Sequence, residues 1–258
     1  MLADEHTHAP LKRTAWFRFY EELNDFLPEE LRKKSFPYEF TGTPSVKNSI
    51  EAIGVPQAEV DLVIVNGESV GFDHRLHGGE RISVYPVFES LDISPLVHLR
   101  AKQLRHTKFI ADVNLGSLAR KLRLLGFDTY FRNDLEDDEI VRISLNEKRI
   151  ILTRDIGILK HNVVTHAYWL RSDDPPTQLK EVVRRFQLEK SLKPFSRCSV
   201  CNALLKPVDL EEAKAYIPEN TLKHFNEFYT CPNCAKYYWK GSHYEKILEW
   251  VKEIEEQG

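Results

Sequence analysis

The alternation of apolar and polar residues predicts a series of short strands and helices along most of the chain. In the N-terminal third, four apolar or alternating runs predict strands, and one amphipathic stretch from Pro44 predicts a helix. The strands are residues 14–20, 36–40, 60–65 and 81–87. Ser45 is placed to cap the helix and Gly54 to end it. The order strand-strand-helix-strand-strand in so short a stretch predicts a β-grasp unit.

Strand and helix patterns then alternate along the middle of the chain. Predicted strands occupy residues 108–112, 127–131, 149–153 and 167–170. Leucines at helical spacing predict a helix over 115–125, with Gly126 where a helix C′ glycine belongs. Further helices are predicted from Asp137 and over 177–188, and a short turn is predicted around 158–160. This alternation is typical of right-handed crossovers and a parallel sheet, so the predicted fold class is α/β.

Aspartates follow two of these strands. Asp112 and Asp155 both stand at strand carboxyl ends, which share one edge of a parallel sheet and form its ligand-binding side. We therefore expect them to lie close together. Carboxylates brought together repel unless a cation neutralises them, so this edge is a candidate site for Mg²⁺ or Mn²⁺.

Other aspartates near this edge have two interpretations. Asp137 and Asp138 begin a predicted helix, where an aspartate serves as a cap or dipole partner about as often as a metal ligand. Asp173 and Asp174 precede two prolines and are expected to be turn or cap residues. A single strand-end aspartate also fits a receiver-like or flavodoxin-like domain, so the metal hypothesis depends on the combination.

All four cysteines lie in the last quarter of the chain as two C-x₂-C pairs, Cys198 with Cys201 and Cys231 with Cys234. Two such knuckles predict tetrahedral Zn²⁺ bound by four thiolates, with no open position, and therefore a structural zinc ribbon. Two disulfides or a redox pair are the alternatives. The long spacer predicts an inserted segment around residues 211–228.

Basic and aromatic residues are interleaved around the cysteines. Such a patch can stack bases and contact phosphates, or it can simply pack a small domain, and the sequence favours neither. Its members are Arg197, Lys206, Lys236, Tyr237, Tyr238, Trp239, Lys240, His243 and Tyr244. Residues 243–254 predict an amphipathic helix that packs back on the body of the protein.

Composition narrows the functional classes. The chain has 258 residues, 42% of them hydrophobic, and a net charge of −3, so no global positive field indicates a nucleic-acid partner. No apolar run approaches membrane-spanning length, and residues 1–10 lack the apolar core of a signal peptide. We expect a soluble, cytoplasmic protein. Residues 91–106 predict a linker whose positive run is either solvated or in contact with phosphates.

Two stretches carry a resemblance to a known family. Residues 109–128 (FIADVNLGSLARKLRLLGFD), together with Ile-Leu-Thr-Arg-Asp at 151–155, resemble the Mut7-C family. Its members are PIN-like domains, predicted metal-dependent ribonucleases, with a C-terminal zinc ribbon, and a ubiquitin-like module often precedes them. The resemblance implies four segments: a β-grasp domain (13–90), a linker (91–106), a PIN-like nuclease domain (107–192) and a zinc ribbon with a C-terminal helix (193–258).

The resemblance also implies residue roles. Asp112 and Asp155 would be catalytic and would bind Mg²⁺ or Mn²⁺, with Asp137 or Asp138 as the middle acid. Thr153 and Arg154 would orient the acid or the substrate. Arg120, Lys121 and Arg123, on the other faces of the first helix, are predicted substrate contacts.

Three functions follow as hypotheses. The first is a divalent-metal-dependent ribonuclease, with RNA held by the ribbon. The second is a non-catalytic module that binds RNA or a ribonucleoprotein. The third arises because residues 63–67 and 76–87 resemble ubiquitin-like sulfur carriers, which end in an activated Gly-Gly; here the chain continues past Gly78-Gly79, so a turn is expected instead. The β-grasp unit is then a docking or substrate-positioning module with a possible protein partner.

Overall fold

The computed structural model describes residues 11–86, 107–161 and 163–255. The chain divides into two compact units; the first contains the N-terminal sheet together with Leu159–His166, and the second contains the rest. The predicted linker at 91–106 and Val87 of the last predicted N-terminal strand lie outside the described residues.

The N-terminal unit is a five-stranded sheet of order β2-β1-β5-β3-β4. Its strands are β1 (Lys12–Phe19), β2 (Phe36–Thr41), β3 (Val60–Val65), β4 (Glu68–Val70) and β5 (Arg81–Pro86). Strands β1 and β5 pair in parallel, and the other neighbours pair antiparallel. The four predicted strands are present, β2 lies at the predicted edge, and β4 is an additional short strand.

One helix, α1 (Val46–Ile53), accompanies this sheet. It begins where the sequence predicts, because the Ser45 hydroxyl accepts a hydrogen bond from the Asn48 N–H (3.2 Å), and it ends at Gly54. Val46 and Ile50 of α1 share a core with Phe17 and Phe19 of β1. The α/β fold class with an N-terminal β-grasp sheet is therefore confirmed.

The second unit is built on a four-stranded, fully parallel sheet of order β7-β6-β8-β9. Its strands are β6 (Lys108–Ala111), β7 (Asp128–Tyr130), β8 (Ile150–Thr153) and β9 (Ala167–Trp169). Its helices are α2 (Gly116–Leu124), α3 (Asp137–Glu147), α4 (Ile156–Leu159) and α5 (Pro175–Arg185). The predicted turn around 158–160 is wrong in part, because a helical turn begins directly after Asp155.

The cysteine region forms a three-stranded antiparallel sheet of order β10-β11-β12. Its strands are β10 (Lys206–Val208), β11 (Phe228–Thr230) and β12 (Tyr237–Trp239). The helices α6 (Leu210–Lys214) and α7 (Glu219–His224) form the predicted insert, and α8 (Ser242–Glu255) ends the described chain.

One hydrophobic core joins the parallel sheet to the cysteine region. Phe109 of β6 and Leu122 of α2 belong to the same buried cluster as Cys198, Cys231 and Tyr238. Ile247 of α8 belongs to it as well, so α8 packs on the body as predicted. Burial of the knuckles therefore depends on the parallel sheet beside them.

Gly126 fixes the junction between α2 and the segment before the first knuckle. Its φ is +97°, and a Cβ built there would lie 2.8 Å from the Ser196 hydroxyl and closer still to the Lys193 carbonyl oxygen. We expect Gly126→Ala to lower the free energy of unfolding by more than about 2 kcal/mol, because left-handed strain and backbone overlap add together. Urea denaturation of the variant measures this loss.

Gly79→Ala is the matched control for Gly126→Ala. Gly79 has a similar φ of +90°, but a Cβ there would meet nothing within 4 Å. Only the conformational cost of about 1 kcal/mol is then expected. Equal losses in the two variants would contradict the close approach as the cause.

Candidate functional site

The strand order places a topological switch point between β6 and β8. The chain runs from β6 to β7 on one side, and then to β8 and β9 on the other. In open α/β sheets, ligands bind outside the carboxyl ends of the two strands that flank such a point. Asp112 follows β6 and Thr153 ends β8, so both lie at this position.

A hydrogen-bonded chain links Asp112, Thr153 and Asp155. The Thr153 hydroxyl donates to Asp112 Oδ2 (2.8 Å) and accepts from the Asp155 N–H (2.8 Å). Thr153 is fully buried and Asp112 is 4% exposed. Asp155 is exposed, and its Oδ1 accepts from the Gly157 N–H (2.6 Å) at the start of α4. The predicted approach of the two strand ends is therefore present, with Thr153 between the two aspartates.

The other acids near this edge have separate positions. Asp137 and Asp138 are exposed in the first turn of α3, where the helix dipole favours negative charge. Asp174 caps α5 by accepting from the Thr177 N–H (3.0 Å), as the cap interpretation predicts. Across residues 11–86, 107–161 and 163–255, the four cysteines are the only group of three or more candidate ligands whose atoms converge, so no three-carboxylate cluster forms there.

Two of the predicted substrate-binding residues are exposed and one is half-buried. Arg120 on α2 and Arg154 after β8 are exposed, and the Arg154 carbonyl accepts from the Trp169 indole N–H (3.2 Å). The Lys121 ammonium lies over the Trp250 ring of α8, 3.9 Å from its centroid. Burial lowers the pKa of Lys121, and the charge of Asp174 opposes that shift.

Arg123 does not have the predicted role in this structure. Its side chain is buried at 4% exposure and donates to the carbonyls of Thr129 (2.8 Å) and Val200 (2.7 Å). The guanidinium therefore joins β7 to the first cysteine knuckle. Carbonyls from two separate segments surround it, which leaves no open side for a substrate.

The four cysteines fit a zinc ion. Their sulfurs all lie within 4.8 Å of one another, with separations of 3.5 Å for Cys198–Cys234 and 3.3 Å for Cys201–Cys231. Tetrahedral Zn–S bonds of about 2.3 Å put sulfurs about 3.8 Å apart, whereas a disulfide needs about 2.05 Å. All four are free thiols, so the disulfide alternative does not describe them and the zinc-ribbon geometry is present.

The Tyr238 hydroxyl contacts the first knuckle. It lies 3.1 Å from Cys198 Sγ and accepts from the Ser199 N–H (3.2 Å). Burial opposes ionisation of Cys198, but hydrogen bonds from Tyr238 and from backbone N–H groups lower its pKa to about 6. Burial and the neighbouring thiols raise the pKa of Cys234 to about 12. Four thiolates within 4.8 Å of one another would repel, so a bound cation would stabilise them together.

Asp128, which the sequence did not single out, ties the sheet to the ribbon. Its Oδ1 accepts from the Arg149 guanidinium (2.6 Å) and the Asn202 amide (2.8 Å), and its Oδ2 pairs with Arg197 (3.3 Å). Burial opposes its charge, but these hydrogen bonds hold the pKa of Asp128 below its usual value. The Asn202 side-chain oxygen also accepts from the Thr129 N–H, which adds a second hydrogen-bonded connection between β7 and the ribbon.

The basic and aromatic patch divides between packing and exposure. Tyr238 packs in the core, and Trp239 packs against the small cluster of Ala213, Ile217 and Phe228. Tyr237 packs against the same cluster and also stacks on the exposed ring of Tyr216, with centroids 4.9 Å apart. Lys240 forms an ion pair with Glu227. The packing interpretation therefore holds for Tyr237, Tyr238, Trp239 and Tyr244.

With this geometry established, the family of the chain is clear. Residues 107–251 match the Mut7-C RNAse domain, and residues 12–92 match the Mut7-C ubiquitin domain. The chain belongs to the Mut7-C RNAse domain family, as its motifs predict. That membership suggests a ribonuclease-type function and an RNA substrate, and the ubiquitin-like domain suggests an interaction with a protein.

The chain gave no match among curated proteins and none among solved structures. No helix in the described part of the chain is long and apolar enough to cross a membrane.

Proposed function

We propose that this protein is a divalent-metal-dependent ribonuclease that hydrolyses RNA at the carboxyl edge of its parallel sheet. The observation that supports it most is the environment of Asp112. This carboxylate is 4% exposed, and its hydrogen-bond donor among the described residues is the neutral Thr153 hydroxyl. No ion pair to Asp112 is present among the described residues, and an unpaired buried carboxylate is costly, so a bound cation would stabilise it.

The residues at this edge fit Mg²⁺ or Mn²⁺. Mg²⁺ is commonly held by one or two carboxylates together with substrate phosphates, so Asp112 and Asp155 suffice in number. Such an ion supplies an activated water and neutralises charge on the phosphate. The absence of a third converging acid in the described residues agrees with a site that is complete only when RNA is bound.

The residues at this edge then have defined roles. Thr153 keeps the Asp112 carboxylate oriented and fixes the backbone of Asp155. Asp137 or Asp138 would act as the middle acid when RNA is bound. Exposed Arg154 and Arg120 would contact phosphates of the strand. Water adds to phosphorus and one P–O bond breaks, which leaves a phosphate on one product and a hydroxyl on the other.

The remaining segments have supporting roles in this proposal. The four cysteines would hold zinc in a structural site, and the ribbon (193–258) would help to bind RNA. The β-grasp domain (13–90) would dock a protein partner, and residues 107–192 would form the nuclease domain. The Gly78-Gly79 turn remains inside the chain, which leaves sulfur-carrier chemistry without the terminus it needs.

The test is cleavage of end-labelled RNAs of mixed sequence by the zinc-loaded full chain with Mn²⁺, with Mg²⁺ and with neither. The metal-free arm uses dialysis, because a chelator would also strip the cysteines. We expect cleavage only with added metal. Asp112→Asn and Asp155→Asn are each expected to slow it by at least about 100-fold, or about 2.7 kcal/mol of barrier.

Five further variants make the test specific. Thr153→Val, which removes the hydroxyl, should cost about 10- to 100-fold, as supporting residues of metal sites do, and Thr153→Ser should restore activity. Asp137→Asn and Asp138→Asn, made singly, decide which acid contributes. Asp73 is an exposed carboxylate of the N-terminal unit, and Asp73→Asn should leave the cleavage rate unchanged.

Two outcomes would contradict the proposal. Cleavage that survives Asp112→Asn and Asp155→Asn would come from another site or from a contaminant. RNA that binds but is never cut with either metal would favour the non-catalytic RNA- or ribonucleoprotein-binding function.

A further inference from the structure

A second candidate site lies at the opposite edge of the parallel sheet. A cleft of about 590 Å³ opens where β6 and β7 begin, at Lys108 and Asp128. The segment between α5 and the first knuckle forms its other wall. The lining residues are Thr107, Lys108, Gly126, Phe127, Asp128, Leu188, Lys190, Ser191, Lys193 and Arg197.

Positive charge dominates this cleft. Four cationic side chains line it against one carboxylate, Asp128. That carboxylate is already engaged by Arg149 and Arg197, so it does not neutralise the lysines. Lys190 and Lys193 are exposed, and no carboxylate among the described residues pairs with either of them. The cleft therefore presents an excess of positive charge on a chain whose net charge is negative.

The wall that carries the lysines is held in place. The Lys193 N–H donates to the Leu125 carbonyl (2.9 Å), and the Phe195 N–H donates to the Leu124 carbonyl (3.2 Å). Phe195 is buried edge-on against Tyr238 and Tyr244, with centroids 6.2 and 5.0 Å apart. Backbone that is fixed before binding loses less entropy when a ligand arrives, which favours a binding role over a merely solvated loop.

We propose that this cleft binds phosphates of the RNA backbone through Lys190, Lys193 and Lys108. The inference rests on the proposed function for the identity of its ligand. The cleft lies at the far end of β6 from Asp112, about 13 Å along the strand. It would therefore hold RNA beside the cleavage site, not at the scissile phosphate, and it is built from side chains that touch phosphate without reading bases.

The test measures affinity of the zinc-loaded full chain for a labelled single-stranded RNA at several KCl concentrations, with no Mg²⁺ or Mn²⁺ added. Each phosphate of a single strand that the protein no longer neutralises lowers the slope of log affinity against log salt by about 0.7. The double variant Lys190→Ala with Lys193→Ala should lower the slope by about 1.4 and the affinity about 20-fold at 0.1 M salt. Lys190→Arg with Lys193→Arg should restore both.

The matched control removes the same charge elsewhere. Lys34→Ala with Lys47→Ala changes two lysines of the N-terminal unit and should leave slope and affinity unchanged. An unchanged slope in the cleft variant would overturn the proposal, as would an equal loss in the control. Inorganic phosphate at matched ionic strength is the second probe, and displacement of all RNA by it would assign the cleft to small anions instead.

Failure of this inference is distinguishable from failure of the nuclease proposal. RNA that binds through the lysines but is never cut would support the cleft and contradict the nuclease. RNA that is cut, while the cleft variant keeps the wild-type salt dependence of binding, would support the nuclease and contradict the cleft.

Discussion

Asp128→Ala is expected to lower the free energy of unfolding by about 3 kcal/mol, because it leaves the buried Arg149 guanidinium without its closest partner. The Arg149 side chain is 8% exposed and that of Asp128 is 18% exposed. The variant also removes the acceptor that Asn202 and Arg197 share, so the ribbon loses one of its links to β7. Chemical denaturation followed by circular dichroism measures the loss.

The exposed ion pair between Arg132 and Asp134 is the matched control for this experiment. These side chains are 45% and 70% exposed, and their separation is 2.9 Å. Asp134→Ala should leave the free energy of unfolding essentially unchanged, because water screens the pair. A loss below about 1 kcal/mol in Asp128→Ala would contradict the structural role of Asp128.

The pH dependence of that loss has a defined sign. The pKa of Asp128 is lowered in the folded protein from its ordinary value of 3.8. Its contribution is therefore fully present well above pH 3.8 and disappears as the pH falls through the lower folded pKa. The difference between wild type and Asp128→Ala should be constant at neutral pH and shrink only in acid.

Loss of zinc is expected to have an effect at least as large. Cys198→Ser and Cys231→Ser remove buried thiolates from a core that includes Phe109 and Leu122. Each should abolish stoichiometric zinc and lower the free energy of unfolding by more than about 4 kcal/mol, or about 10 °C in Tm. Native mass spectrometry counts the zinc, and calorimetry measures the transition.

The zinc prediction has its control within the same knuckle. Val200 lies between two of the cysteines and is 51% exposed, so Val200→Ser should keep one zinc per chain and nearly full stability. A Cys198→Ser protein that retained both zinc and stability would contradict the tetrahedral site.

Local patterns in the sequence predicted much of the carboxyl edge of the parallel sheet and of the cysteine site. The convergence of Asp112 and Asp155 follows from strand periodicity together with the rule that parallel strands share an edge, whereas the role of Thr153 was implied by the family resemblance. Gly126 follows from helix-end chemistry, and the paired cysteines follow from their spacing. In each case the signal consists of short local patterns.

Contacts between distant segments were not predictable in this way. Arg123 lies on a polar helix face by periodicity, yet its acceptor carbonyl belongs to Val200, 77 positions away. Lys121 likewise lies over Trp250, and Asp128 pairs with Arg149 and Arg197 from other segments. Such partners depend on how the ribbon packs on the sheet, which periodicity does not contain.

The hydrogen bonds of Lys193 and Phe195 to the end of α2 limit how the chain can vary. The segment from Leu188 to Cys198 is held at both of these positions, so one inserted or deleted residue would shift every later residue against Leu124 and Leu125. The helical insert between β10 and β11 carries no such restraint on the knuckle spacing. Natural relatives should therefore differ in length within that insert and keep a constant length between α5 and the first cysteine.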